Sequence, residues 1–474
     1  MNSTSALRYL STVSTSPTDP HTDRYARDPN GRAERFIRPL RDFLHQEASA
    51  GLLLVGAAIF ALIWANSPWS GSYFDLWSIE SGVEFNGHGI HLNLREWVND
   101  LAMVLFFFVV GLEIKRELTE GELRDPRQAA LPIIAAFGGM IVPATIFAVL
   151  NSGGDGSKGW GIPMATDIAI VMGVVALLGS RAPSWLKLFL LALAIVDDIG
   201  AILVIAIFYS EGVSFEWLSV AIGAVAVAAV IRNSVPWIGV YVALGALCWL
   251  GLHNAHVHPT LTGVAFGLLA PVTPRRRSGM IDADELAAKP DVRKAAAVSQ
   301  QAKWTVSIVE WLEHRLHPWS AFLVVPVFAL ANAGIKIPAS DLGSAMTNRV
   351  TWGVMLGLVV GKTIGITGAT LLAVALKIGR LPEGVTPRYV LGAGALGGVG
   401  FTVSLFVTEL AFGEEVVGTD ARLGVLIGSF AAALIGSAIM IPGKVLDDRS
   451  MTGPVVDPDT DPAFNSSPRQ SKID

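Results

Sequence analysis

Two adjacent aspartates, Asp197 and Asp198, sit inside Leu191-Ala-Leu-Ala-Ile-Val-Asp-Asp-Ile-Gly-Ala-Ile-Leu, a run with no other charge. Asp167 in Pro163-Met-Ala-Thr-Asp-Ile-Ala and Lys362 in Val360-Gly-Lys-Thr-Ile-Gly lie in similar surroundings. An ionisable group deep in hydrocarbon costs about 2.5–3.5 kcal/mol on insertion scales and marks function by default. Neighbouring residues on a helix point about 100° apart, so Asp197 and Asp198 cannot both face one partner. One is expected to face a water-filled cavity while the other meets an opposing charge such as Lys362. Burial penalises the charged forms of such groups and sets them to exchange protons near physiological pH. Their oxygens, with the hydroxyl of Thr166, are also the hard ligands that suit a small cation. A site that holds either protons or a cation is the physical requirement of an exchanger.

The elements carrying these residues must be membrane helices. Of 474 residues, 52% are hydrophobic and 16% charged, against about 25% charged in ordinary soluble domains. The mean hydropathy is +0.51. The net charge of −5 leaves no basic excess for a nucleic acid. The single cysteine, Cys248, excludes a disulfide framework and a cysteine zinc site. Twelve apolar segments of spanning or near-spanning length follow one another at 49–66, 98–114, 129–150, 160–178, 185–209, 215–231, 235–252, 256–272, 318–334, 351–376, 389–412 and 422–443.

A transmembrane domain over 48–443 is therefore expected between polar tails, 1–47 and 444–474, that read as disordered and cytoplasmic. Within it, 78–94 carries Asn86-Gly87 between alternating apolar residues, the signal of a β-hairpin. The longest interior loop, 273–317, opens on Arg275-Arg276-Arg277. With the N-terminus placed in the cytoplasm, 29 of the 35 Lys and Arg residues fall on the inner side, five on the outer, and Lys362 within a span. That asymmetry fits an even number of spans with both termini inside.

Two of the segments cannot be plain helices. Pro163 precedes Ala165-Thr166-Asp167 in the fourth, and the eleventh carries Gly392-Ala-Gly-Ala-Leu-Gly-Gly-Val-Gly. Interrupted spans in corresponding positions of two halves point to an ion site between inverted repeats, here spans three to five and ten to twelve. Crossing broken helices bring two positive N-terminal ends together, and two negative C-terminal ends. Asp167 and Lys362 are candidates to offset them. The Gly392–Gly397 and Gly357–Thr363 stretches resemble dinucleotide and phosphate loops, but both lie within apolar spans and the second is one residue short. His253, His256 and His258 fall at a short external loop, and Asp100 lies near the outer end of the second span.

At these residues the sequence resembles the NhaA family of sodium/proton antiporters. The likeness runs from about Leu44 to Pro442 through Gly111-Leu-Glu-Ile-Lys-Arg-Glu-Leu, Ala165-Thr-Asp-Ile-Ala, Ala194-Ile-Val-Asp-Asp-Ile-Gly-Ala-Ile, Leu312-Glu-His-Arg-Leu-His-Pro-Trp, Phe328-Ala-Leu-Ala-Asn-Ala-Gly, Gly361-Lys and Gly400-Phe-Thr-Val-Ser. The resemblance implies an all-α polytopic membrane protein of about 12 transmembrane helices. These would form inverted-topology repeats with two crossing discontinuous helices and a small extracytoplasmic hairpin.

By that resemblance the chain is a secondary active transporter of a bacterial inner membrane, not an enzyme, and uses no cofactor. It would extrude Na⁺ or Li⁺ electrogenically for protons and be activated at alkaline pH. Asp197 and Asp198, with Thr166, would hold the cation. Lys362 would pair with the first aspartate, and Asp167 would sit at the helix break. Glu113, Arg116, Glu117, Glu313, His314 and His317 would form a cytoplasmic pH-sensing cluster. A homodimer through the 78–94 hairpin is also implied. The family's His-Ala-Thr reads His258-Pro259-Thr260 here, which puts a pH role for His258 in doubt. Two rival functions make different demands. A sodium-coupled organic-anion symporter needs more polar substrate-binding side chains than these spans carry. An intramembrane aspartyl protease needs aspartates on separate helices.

Overall fold

The computed structural model describes residues 31–441, apart from 86–87, 211, 233, 236, 273–306, 337–342, 344–346, 382–384 and 414. The Asn86-Gly87 turn, most of the 273–317 loop and the outer parts of both tails thus lie outside the described residues. The chain divides into two compact units, residues 1–46 and 47–474. In the first, residues 31–46 are helical where disorder was expected. Arg, Ala, Glu, Leu and Phe dominate that stretch, and most of them are good helix formers.

Among its described residues the second unit is almost wholly helical. It opens on α1 (Ala48–Ala65), followed by the short α2 (Ser70–Trp77). Strands β1 (Glu80–Phe85) and β2 (His88–Asn93) then pair antiparallel, with Val83 opposite Ile90. Asn93 ends β2 and caps α3 (Leu94–Thr119): its Oδ1 accepts from Glu96 N–H at 2.8 Å, and its own N–H donates to Glu96 Oε2 at 2.7 Å. Such a reciprocal box satisfies two orphan donors at a helix start. Next come α4 (Pro126–Leu150), a 3₁₀ stretch over Asp155–Met164, α5 (Ile168–Leu178), α6 (Ser184–Phe208), α7 (Phe215–Ile231), α8 (Ile238–Asn254) and α9 (Leu261–Leu269). The C-terminal part holds α10 (Ile308–Trp319), α11 (Val325–Asn332), α12 (Arg349–Ala375), α13 (Pro387–Leu396), α14 (Phe401–Phe412) and α15 (Val416–Met440).

Among the described residues, six helices are long and apolar enough to cross a membrane: α1, α3, α4, α6, α12 and α15. Two bent pairs raise the number to eight. The 3₁₀ stretch meets α5 at 44°, and α13 meets α14 at 45°. The eighth apolar segment, expected over 256–272, is helical only over Leu261–Leu269. Pro259 cannot continue a helix backwards, and His256 stands at φ 57° in the left-handed region. Conversely, α10 begins inside what the sequence suggests is loop. Ser307 starts it by accepting from Glu310 N–H at 3.1 Å, and Val309 is buried. The charges of Glu310, Glu313 and Arg315 hide this helix from a hydropathy reading.

What positions the site is the packing of α12 along α4. Their backbones touch at two glycines. A Cβ on Gly138 would lie 2.3 Å from the Gly365 carbonyl oxygen, and one on Gly365 would lie 2.2 Å from that of Gly138. Only glycine permits such an approach. In α12 a π-turn, Gly357–Gly361, immediately precedes Lys362. One large core then runs through the bundle, including Phe147, Phe328, Leu358, Ile366 and Phe406.

Candidate functional site

The charged residues singled out in the apolar runs converge where the two bends meet. Between the 3₁₀ stretch and α5 the backbone opens at Ala165–Asp167; between α13 and α14 it opens at 397–400. The openings are joined directly, because Asp167 N–H donates to the Val399 carbonyl at 2.6 Å.

Asp167 is the anion of this junction. Its Oδ1 accepts from Ile170 N–H at 3.2 Å, capping α5. Its Oδ2 accepts from Thr402 N–H at 3.0 Å and from Thr402 Oγ1 at 2.5 Å, at the start of α14. One buried carboxylate, 3% exposed, therefore serves two helix N-termini, where orphan donors and the helix dipoles favour negative charge.

The cation of the junction is Lys362, whose side chain is fully buried. Its Nζ donates to Asp197 Oδ2 at 2.7 Å and to Thr166 Oγ1 at 2.9 Å. Thr166 in turn donates to the carbonyl of Gly397 at 2.8 Å. Gly397 caps the C-terminus of α13, so the lysine reaches that negative helix end through one hydroxyl. With its hydroxyl accepting from Lys362 and donating to Gly397, Thr166 has no proton left to give. Its oxygen keeps one lone pair that a cation could take.

The adjacent aspartates differ as the helix geometry requires. Asp197 is 1% exposed and pairs with Lys362, while its Oδ1 is buried without a hydrogen-bond partner among the described residues. Asp198 is half-buried and accepts no hydrogen bond among the described residues. The charges that act on it are Asp197, Glu113, Asp167 and Lys362. Three carboxylates and a single ammonium around a half-exposed carboxylate make a locus that attracts cations.

The proposed pH cluster comes together only in part. Arg116 pairs with Glu313 and lies 3.6 Å from Glu117 Oε1. Burial pushes the Glu313 carboxyl up, and the Arg116 guanidinium pulls it back. His317 also acts on Glu313, whereas His314 is exposed on the same helix. Glu113, one turn before Arg116 and Glu117 on α3, acts on Asp198. At the other end of α3, Asp100 lies 3.7 Å from His258 and 3.9 Å from His253. Among the described residues no three His, Cys, Asp or Glu side chains are placed to hold a metal ion.

Sequence reasoning gave no role to Thr402 or Ser404. Ser404, fully buried, donates to the Ile162 carbonyl at 2.8 Å and fastens α14 to the 3₁₀ stretch. Both lie in Gly400-Phe-Thr-Val-Ser, a visible motif, but a hydroxyl in an apolar helix does not announce its partner.

Residues 41–440 match the family described as Na⁺/H⁺ antiporter 1. The chain is 45% identical to the Na⁺/H⁺ antiporter NhaA 3 of Frankia alni, over 91% of this chain and 93% of that protein. It is 44% identical to NhaA 2 of Sorangium cellulosum, over 87% and 91%, and to NhaA of Rhodopirellula baltica, over 86% and 94%. The family model covers more than four-fifths of the chain, and the motifs gathered at the helix breaks lie within it. The chain is a multi-pass membrane protein and belongs to the Na⁺/H⁺ antiporter 1 family.

Proposed function

We propose that this protein exchanges Na⁺ or Li⁺ for protons across a bacterial inner membrane by alternating access. In this reading the described helices and bent pairs build about twelve spans in inverted repeats, with crossing broken helices and both termini in the cytoplasm. The observation that carries it is the pair of unlike aspartates. Asp198 is half-buried and free of hydrogen bonds among the described residues, beside an Asp197 held by Lys362.

A cation entering at Asp198 competes with the Lys362 ammonium for the oxygens of Asp197 and Thr166. Protons arriving instead neutralise the carboxylates. Occupancy by cation or by protons, never both, couples the two flows, and more than one titrating group makes the exchange electrogenic. Arg116, Glu117, Glu313 and His317, with Glu113 above them, form the cytoplasmic end that would set activation at alkaline pH. Two copies associate through the strand pair β1–β2.

The test uses everted vesicles energised to an acid interior and read with a pH-sensitive dye, adding Na⁺, Li⁺ and K⁺ in turn across pH 6.5–8.5. Dequenching with Na⁺ or Li⁺, abolished in Asp198→Asn with normal membrane insertion, is expected. Full exchange in Asp198→Asn, or no response to any cation, overturns the proposal.

A further inference from the structure

Several threonines on the membrane helices here bond back to their own helix, Thr370 and Thr408 among the buried ones. Thr145 donates to the Ile141 carbonyl, Thr363 to Val359, Thr370 to Ile366 and Thr408 to Ser404, at 2.5–2.8 Å and always four residues back. That is the ordinary use of such a hydroxyl in a helix. Thr402 departs from it, as does the fully buried Thr351, which donates to the Asp420 carbonyl of α15; of these two, Thr402 alone reaches a carboxylate. Its side chain is 3% exposed, and its Oγ1 points out of α14 to Asp167 on the other broken segment, 235 residues away in sequence.

Taking the exchange reading as its ground, we propose that Thr402 is a positioning residue for the cation site, acting through Asp167. The chain of contacts is continuous. Thr402 gives both its N–H and its hydroxyl proton to Asp167 Oδ2. Asp167 is bonded in sequence to Thr166, whose hydroxyl holds Lys362, which in turn holds Asp197. Thr166 and Thr402 thus make reciprocal ties, each hydroxyl crossing from its own break to the other. Without the Thr402 hydroxyl, Asp167 retains a single donor from α14, and the Ala165–Asp167 segment loses its shortest tie to the second break. Thr166 then presents its oxygen to Lys362 less reproducibly, and the carboxylates lose their preset geometry. Hydrogen bonds to charged groups are the strong ones, and looseness in a binding site lowers affinity before it lowers turnover.

The role separates from plain packing by which atom of the side chain matters. Thr402→Val keeps the shape and removes the hydroxyl; Thr402→Ser keeps the hydroxyl and removes the methyl. Both are measured as full-length protein in proteoliposomes, by dye dequenching against Na⁺ concentration. The expected result is an apparent KM for Na⁺ raised about tenfold in Thr402→Val, with turnover at saturating Na⁺ within about twofold of wild type. Thr402→Ser is expected to restore the wild-type KM. An unchanged KM in the valine variant, equal defects in both variants, or a loss confined to turnover each overturns the proposal. If Thr402→Val does not insert stably, Thr402→Ala against Thr402→Ser makes the same comparison. Absence of Na⁺-dependent dequenching in the wild-type protein would instead overturn the exchange reading itself, so the two failures are distinguishable.

Discussion

The Asp197–Lys362 pair offers the sharpest energetic test of the site. Both side chains are fully buried, and the ammonium and carboxylate approach to 2.7 Å. Removing one partner of such a pair strands a charge out of water and costs about 3–5 kcal/mol, whereas replacing both with neutral groups is close to neutral. Lys362→Met leaves Asp197 with an Oδ1 that has no partner among the described residues and an Oδ2 deprived of its ammonium. Asp197→Asn leaves Lys362 with Thr166 as its remaining neutral acceptor. Each single variant is therefore expected to lower the apparent melting temperature in detergent by on the order of 10 °C. The double variant should recover most of that loss and so be far more stable than the two single losses summed. The readout is the fraction of monodisperse protein after a temperature series, with wild type and the three variants in parallel at one pH. Additive losses, with the double variant as unstable as the two singles summed, would refute the claim that the charges hold each other. A small loss in Lys362→Met alone would refute the burial argument.

Three further outcomes follow from other contacts. Gly365→Ala should destabilise by about 1–3 kcal/mol, because its Cβ would meet a backbone oxygen that cannot swing away. Gly368→Ala, three residues on and with nothing near its would-be Cβ, is the control; equal effects in thermal denaturation would sink the argument. Arg116→Ala should move the pH at which exchange switches on upward by about one unit. Without that guanidinium only His317 is left to offset the upward push of burial on Glu313, so a higher pH is needed to ionise it. A pH profile identical to wild type removes the Arg116–Glu313 pair from regulation. Asp167→Leu should abolish stable insertion or cost several degrees of melting temperature, since three donors from two helix starts lose their acceptor. A variant as stable as wild type would show that these N-termini need no anion.

Much of the site was legible because charge in an apolar run is conspicuous. Asp167, Asp197, Asp198 and Lys362 each stand out against their surroundings, and Pro163 and the glycines from Gly392 to Gly400 mark where helices open. The 100° step between helix neighbours shows that the two aspartates cannot share one partner, but not which of them meets Lys362. Hydroxyl partners were not legible, since Thr402 reads like any other threonine in a helix and its acceptor is distant in sequence. Helix α10 was concealed for the opposite reason: its charges suggest solvent, while Val309 and Glu313 are buried. The number of long helices also differs from the number of apolar segments. Hydropathy registers α7, α8 and α9 as strongly as the long spans, although each has 17 residues or fewer.

The π-turn before Lys362 carries a consequence for how the lengths of this helix can vary. A π-turn is one extra residue in an α-helix, so it advances everything after it by about 100° around the axis. From Arg349 to Leu356 the apolar face of α12 follows one phase, and from Lys362 to Ala375 another. Deleting a single residue from Gly357–Gly361 would give a more regular helix and turn Lys362 away from Asp197 and Gly365 off Gly138 together, or else swing Gly353 off Phe147 and Asn151. Either half of α12 can keep its register with the bundle, but not both. The irregular turn therefore fixes the length of that helix to the residue, and an insertion or deletion there should be tolerated less well than at either end.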